Sequence, residues 1–307
     1  MTIIGTSTSA FYERASLGIN DLRKRGEALQ TQLGSGQKLA RSSDNPVVAS
    51  RLRTLARAES LSAVDMSNAN RASSDLELAG AALSSFADYL IRAKDIATQA
   101  ATGTISDTQR AGLAVELKQM QSNLLALANS RDSSGHALFG GDSGGDAYVL
   151  DGSGNAVYQG TVSSGELSLG EGQTVTRSVT GPEFLNFKDK AGNPTNLMAA
   201  VKSLTEALTG AVADPAAAAR EAIGTLDNGL DAITTTQTVV GSRLAWIDMT
   251  VAQRQDLGEL RAKEQTDIGK ADEASTMVEL QQIMTVLEAS QASFVKLANM
   301  SLFNMIQ

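Results

Sequence analysis

Apolar residues recur along most of this chain at alternating intervals of three and four, the spacing that lines one face of an α-helix. Near the C-terminus Met277, Leu280, Met284, Leu287, Gln291, Phe294 and Ala298 keep that rhythm. Near the N-terminus Phe11, Ala15, Gly18, Leu22, Arg25 and Leu29 keep it more weakly. The pattern predicts a first helix over 11–33, broken by the run from Gly34 to Leu39. A second helix should start at an Asp44 or Asn45 N-cap, with Pro46 in the first turn where its missing N–H costs nothing. Its stripe runs through Val48, Leu52, Leu55, Glu59, Ser62, Met66, Ala69 and Ser73. After a shift near Leu76 it resumes through Ala79, Leu83, Phe86, Leu90, Ala93 and Ala97, and Gly103 ends it. Ser106 with Gln109 makes a capping box for a third helix, whose stripe is Leu113, Leu117, Met120, Leu124 and Leu127. A further helix is expected over 195–209. Asp214-Pro215 then repeats the cap-and-proline device and opens a heptad that holds from Ile223 to Ile268. The two longest helices would each have about 55 residues and measure roughly 80 Å. Their equal lengths predict that they lie side by side.

Between Leu138 and about Asn193 the helical period vanishes and glycine becomes dense, with Gly140, Gly141, Gly144, Gly145, Gly152, Gly154 and Gly160. Ala147 to Leu150 and Ala156 to Gln159 flank the turn Asp151-Gly-Ser-Gly-Asn155, which reads as a β-hairpin. Glu166 to Leu169 and Gln173 to Thr180 read as two more strands. The expected fold is therefore mainly α: a long antiparallel helical rod or coiled coil, its N- and C-terminal arms paired, with a small β-rich insertion at the tip. The corresponding segments are 1–42 and 267–307 for the arms, 43–136 and 196–266 for the long helices, and 137–195 for the insertion.

The arms have apolar stripes but little core of their own, so they should bury against each other and against neighbouring molecules. The candidate assembly interface is Phe11, Ile19, Leu22, Leu29 and Leu33 on the first arm, and Leu280, Met284, Leu287, Phe294, Leu297, Leu302 and Phe303 on the second. In a lone chain the arms are expected to be largely disordered and to fold when packed among neighbours.

Composition narrows the class. The chain has 307 residues, 42% hydrophobic but only 4% aromatic, which favours slim helix–helix contacts over a thick core. Its net charge is −8, unsuited to a nucleic-acid partner, which demands a cationic face. There is no cysteine, hence no disulfide, thiolate nucleophile or cysteine metal site. No stretch is long and apolar enough to insert in a membrane. The start, Met1 to Ser16, lacks the basic and apolar regions of a cleaved secretory signal.

Chemistry finds little support. The single histidine, His136, reads as a loop or capping residue beside a helix end. Without a second histidine there is no zinc-protease pair, and no G-x-S-x-G elbow accompanies it. The run Gly140-Gly-Asp-Ser-Gly-Gly145 lacks the Lys-[Ser/Thr] of a phosphate loop and reads as a flexible link. Asp142 with Asp146, and Asp151 with Asn155, lack the ligand spacing of a calcium loop and read as solvated turn residues. No catalytic residue, cofactor or metal is assigned, and the chain is read as a structural protein rather than an enzyme.

Several motifs, in order, resemble the flagellin family along essentially the whole chain apart from the β insertion. They are Leu33-Gly-Ser-Gly-Gln-Lys-Leu39 with Ser43-Asp-Asn-Pro46; Leu90 to Ala100 followed by Gly103-Thr104; Ala137-Leu-Phe-Gly-Gly141; and Ala271-Asp-Glu-Ala274 leading to Leu280. Pro46 and the ending Ser301-Leu-Phe-Asn304 are more similar to the family members that sit between hook and filament than to those that build the filament. So are Tyr158-Gln-Gly160 and the segment from Gly172 to Val179-Thr-Gly181. Ser42 and Gln37 depart from that subgroup's usual pattern. The resemblance implies a structural part of the bacterial flagellum, outside the cell, exported unfolded through the type III channel without a cleaved signal. It implies assembly with copies of itself in a helical ring, between a hook-side junction protein and flagellin, with an export chaperone as a further partner. It also implies that the arms form an inner tube, the long helices a middle shell and the β insertion the outer surface. The alternative within the family is a flagellin that polymerises into the filament itself.

Overall fold

The computed structural model describes the backbone of residues 4–210 and 212–304, and side chains at 10, 12–210 and 212–297. Seven helices and three two-stranded antiparallel sheets occur among the described residues. In chain order these are α1 (Ile4–Ser35), α2 (Pro46–Ala101), α3 (Asp107–Ala128), β1 (Tyr148–Leu150), β2 (Ala156–Tyr158), β3 (Glu166–Gly170), β4 (Gln173–Thr176), α4 (Gly181–Leu185), β5 (Asn186–Lys188), β6 (Pro194–Asn196), α5 (Leu197–Leu208), α6 (Pro215–Gly269) and α7 (Glu273–Asn304). The mainly helical fold, with its long helices and small β insertion, is the one the periodicity predicts.

Helix starts follow one local device. Asn45, Asn196, Asp214 and Asp272 each accept, through a side-chain oxygen, the backbone N–H three residues on, at 3.1, 2.8, 2.9 and 3.2 Å. These bonds satisfy donors that the first helical turn leaves orphaned. Ser106 and Gln109 form the expected capping box. The helix expected over 11–33 is longer at both ends, and it stops where Gly36 takes a φ of 66° that side-chain-bearing residues avoid.

Two compact units are distinguishable, Leu61–Gln255 on one hand and Met1–Ser60 with Asp256–Gln307 on the other. In the first, one apolar cluster collects the inner faces of α2, α3, α4, α5 and α6 and the inner strand residues Tyr148, Leu169 and Val175. The buried stripe of α2 runs Ala69, Ala72, Leu76, Ala79, Leu83, Phe86, Leu90, Ala93 and Ala97, so the change of register falls between Ala69 and Ala72 rather than near Leu76. Phe86, Phe139 and Phe184 are fully enclosed and meet edge-on or tilted, with centroids 4.9–6.2 Å apart.

Charge is also sealed in this unit. Arg177, just after β4, bridges the buried carboxylates of Asp75, at 2.9 Å, and Asp132. Arg254 on α6 pairs with Asp65 on α2 at 3.1 Å. The hairpin β3–β4 packs onto that pair through Gly170, whose φ is 86°; a methyl there would collide with both side chains. Asn68 holds the same hairpin by donating to the Ser168 carbonyl at 3.0 Å.

The β insertion is richer than expected. The β1–β2 hairpin is present, and β4 is shorter than the predicted run to Thr180 because Arg177 leaves the strand for its carboxylates. Helix α4 and β5 lie where no regular element was predicted, and β6 takes Thr195 and Asn196 from the start of the helix expected over 195–209, which begins at Leu197.

The second unit contains α1, α7, the start of α2 and the end of α6. Lys38 N–H donates to the Gly269 carbonyl at 2.8 Å and Ala271 N–H to the Gly36 carbonyl at 3.0 Å, a short bridge between the two chain turns. Arg51 clamps Glu264 with two bonds of 2.6 and 2.8 Å.

Candidate assembly interface

Helices α1 and α7 pack against each other, as the paired-arm reading expects. The covered face of α1 carries Tyr12, Ala15, Ile19, Leu22, Gly26, Leu29 and Leu33; that of α7 carries Thr276, Leu280, Ile283, Leu287, Ser290 and Phe294. Tyr12 stacks edge-on to Phe294 with centroids 5.5 Å apart and donates its hydroxyl to the Leu297 carbonyl at 3.1 Å. Gly26 admits Ile283 close to its backbone.

Of the predicted interface residues, Ile19, Leu22, Leu33, Leu280, Leu287 and Phe294 are half-buried and Leu29 is 8% exposed. Met284 and Leu297 remain 53% and 43% exposed. The side chains of Phe11, Leu302 and Phe303 lie outside the described residues. The heptad therefore sits one position off the predicted line at alternate places. Ile283 and Ser290 face the seam where Met284 and Gln291 were expected and Gly26 where Arg25 was, while Ile19, named among the interface residues, takes the place that the periodic stripe gave to Gly18. Arg25 instead points outward and pairs with Asp21 at 3.2 Å. Both lines share Leu280, Leu287 and Phe294, so spacing alone cannot choose between them; the partner helix does. The usable signal was Ile283, a better seam residue than the exposed Met284.

The small residues leave the seam open on one side. Ala15, Gly18, Leu22, Ser290, Ser293 and Leu297 border an apolar groove of about 420 Å³. Since a two-helix pair covers only one face of each helix, most of this seam is half-buried, and among the described residues of α1 and α7 only Leu29 and Thr276 are closed off from water.

The polar candidates in the insertion are committed to local structure. Asp151 accepts the N–H groups of Ser153 and Asn155, both at 2.8 Å. Asn155 itself holds the Asp151 carboxyl below the usual carboxylate range, through its backbone and side-chain donors. Asp142 accepts Gly165 N–H at 2.8 Å, and Asp146 pairs with Arg131 at 2.6 Å. The glycine run closes on Thr161: its hydroxyl accepts Asp142 N–H at 2.8 Å, and its own N–H reaches the Gly140 carbonyl at 3.1 Å. His136 lies in a loop, half exposed, with Nδ1 3.6 Å from Asp132.

Residues 6–143 match the bacterial flagellin N-terminal helical region. The chain carries the flagellin N-terminal helical region. Over nearly its whole length, the chain is 25% identical over 315 residues to flagellar hook-associated protein 3 of Escherichia coli strain K12, covering 97% of this chain and 98% of that protein. It is also 25% identical over 312 residues to a flagellar filament 31.3 kDa core protein of Treponema maltophilum, covering 99% and 98%. The crystal structure of the flagellar junction protein from Legionella pneumophila aligns with a TM-score of 0.58 at 16% identity, over 71% of this chain and 99% of that one, a likeness of fold. The flagellin match spans α1, α2 and α3 and so takes in the first half of the seam.

Proposed function

We propose that this protein is a structural component of the bacterial flagellum, assembled outside the cell as a junction layer between hook and filament. The observation that carries the reading is the end-to-end alignment with a hook-associated protein 3, arms and insertion included. The half-buried α1–α7 seam supports it, because a subunit whose terminal helices are only partly covered gains stability by packing among copies. On this reading the segments 1–42 and 267–307 line an inner tube, 43–136 and 196–266 form the shell around it, and 137–195 faces outward. The chain travels unfolded to its site, and the absence of cysteine leaves nothing to cross-link on the way. Its neighbours are further copies, a hook-side protein and flagellin, with a chaperone guarding the arms before export.

Electron microscopy of cells lacking the protein tests this. The expected result is hooks without filaments and flagellin shed into the medium; normal filaments would overturn it. A filament-forming role is the second reading, favoured by the whole-length alignment with the Treponema filament protein. Purified protein added to hook ends separates the two, since a junction protein stops at a thin layer and a flagellin elongates.

A further inference from the structure

We infer that a groove between the start of α2 and the end of α6 docks an acidic, aliphatic segment of a partner protein, at a place separate from the α1–α7 seam. The groove measures about 610 Å³, and its lining falls wholly within the second unit. Its floor is apolar, made by Leu39 and Leu52 with Ala56 and Ala262. Leu52 presses on the backbone of Gly269, where an added Cβ would lie 3.2 Å from the Leu52 Cδ2 atom. The bonds from Lys38 N–H to the Gly269 carbonyl and from Ala271 N–H to the Gly36 carbonyl fix the wall that the two chain turns provide. The volume is in the usual range for a site that takes a ligand of a few residues.

Among the described residues, two cations line this groove and no carboxylate does. Arg53 and Lys270 are exposed, and neither has an ion-pair partner among those residues. Gln37 and Gln265 add carboxamides to the rim. The carboxylates nearby are engaged or turned away. Glu264 is clamped by Arg51, Asp44 accepts the Arg41 N–H at 2.7 Å, and Asp272 caps α7. At about 100° per residue, Glu264 and Asp267 fall about 150° around α6 from the lining face of Ala262, Gln265, Thr266 and Gly269. Glu273 opens α7 outside the lining. Glu59 and Glu259 come one helical turn beyond the groove, at the end away from the chain turns, in company with Arg57. In a chain of net charge −8, two cations left without carboxylates around an apolar floor mark a place for a partner's carboxylates. An inorganic anion would leave the floor uncovered. Nucleic acid would ask for more cations and for aromatic stacking platforms, and the lining has neither. A segment that alternates carboxylate and aliphatic side chains meets both the rim and the floor. Exposed ion pairs add little affinity singly, so the cations select and steer while the floor does the holding.

The test uses the full-length protein and a labelled peptide, acetyl-Glu-Leu-Glu-Leu-Glu-amide, followed by fluorescence anisotropy. Wild type should bind it several-fold more tightly than its lysine counterpart, Lys-Leu-Lys-Leu-Lys. It should also prefer it several-fold over Glu-Gln-Glu-Gln-Glu, which keeps the charge and lacks the aliphatic side chains. Arg53→Glu with Lys270→Glu should reverse the preference between acidic and basic peptides. Both sites are exposed, so that variant should keep the helical circular dichroism and denaturation midpoint of the parent. Arg110→Glu with Lys118→Glu makes the same change of net charge elsewhere and should leave binding nearly as it was. Equal binding of acidic and basic peptides, equal binding of the leucine-free peptide, or as large a loss in the remote variant overturns the proposal. Sedimentation adds one more outcome: self-association that the peptide dissolves would make the occupant a second copy and overturn the partner named here. The phenotype of deletion cells bears on the junction reading alone, and these binding results bear on the groove alone.

Discussion

In the unit spanning Leu61–Gln255, three phenylalanine rings are sealed from water. Along α1 and α7, Leu29 is the only apolar side chain counted as buried among the described residues. Both regions are built on the same three-and-four spacing, so spacing is not what separates them. The difference is the number of layers. The stripe of α2 is closed over by α3, by strands and by α4 and α5, whereas the stripe of α1, among the described residues, packs mainly on α7. Periodicity says which face is apolar; the neighbours decide whether that face becomes a core or a site for partners.

The largest break in this contrast comes from the sealed rings. Phe86→Ala should destabilise the Leu61–Gln255 unit by about 4 kcal/mol, the usual loss for a fully enclosed ring. Chemical denaturation followed by circular dichroism would show the midpoint fall, and amide exchange at Leu22 and Leu287 should be unchanged. A matching rise in exchange in the arms would mean that the two regions unfold as one.

Arg177→Met comes next. It strands the buried carboxylates of Asp75 and Asp132 without their shared cation, at an expected cost of about 3 kcal/mol. A midpoint equal to wild type would show that the bridge does not bind the hairpins to α2.

The same cluster predicts an acid limb. Burial pushes the Asp132 carboxyl up, but the N–H groups of His136 and Ser134 together with Arg177 outweigh it and hold the group below the usual carboxylate range. A depressed folded-state value means the contribution is complete above the unfolded value, about 3.9, and is lost as pH falls through the lower folded one. Stability measured from pH 6 downward should therefore drop below about pH 4. In Asp132→Asn that part of the slope should disappear, and an undiminished slope would assign it to other carboxylates.

How much of this could be read from residues alone depends on how many turns an element has. The long helices announced themselves because caps such as Asn45 and Asp214 sit directly before many periods of apolar spacing. Helix α4 has five residues, too few to display a period, although its Thr180–Glu183 capping box was there to be seen. The β5–β6 turn, Asp189-Lys-Ala-Gly-Asn193, repeats the Asp-x-x-Gly-Asn pattern of the β1–β2 turn, with the same backbone bond at 2.9 Å. Recognising that repeat would have placed the third hairpin. The seam was legible only to within one residue, because half of its positions serve two neighbouring helical lines and only α7 breaks the tie.

The smallest effect is the sharpest test of the comparison. Leu22→Ala and Leu287→Ala each remove a half-covered side chain, so in the isolated chain each should cost under ~1 kcal/mol, well short of the 2–5 kcal/mol typical of a sealed leucine. Amide exchange along α1 and α7 should already be fast in wild type, since few apolar contacts hold these helices closed. The same substitutions should weaken layering on hook ends far more than they weaken the monomer, because there a second layer of side chains would complete the burial. If instead Leu22→Ala lowered the monomer's midpoint as much as Phe86→Ala does, the arms would have to be counted as core, and the seam would have nothing left to offer a neighbour.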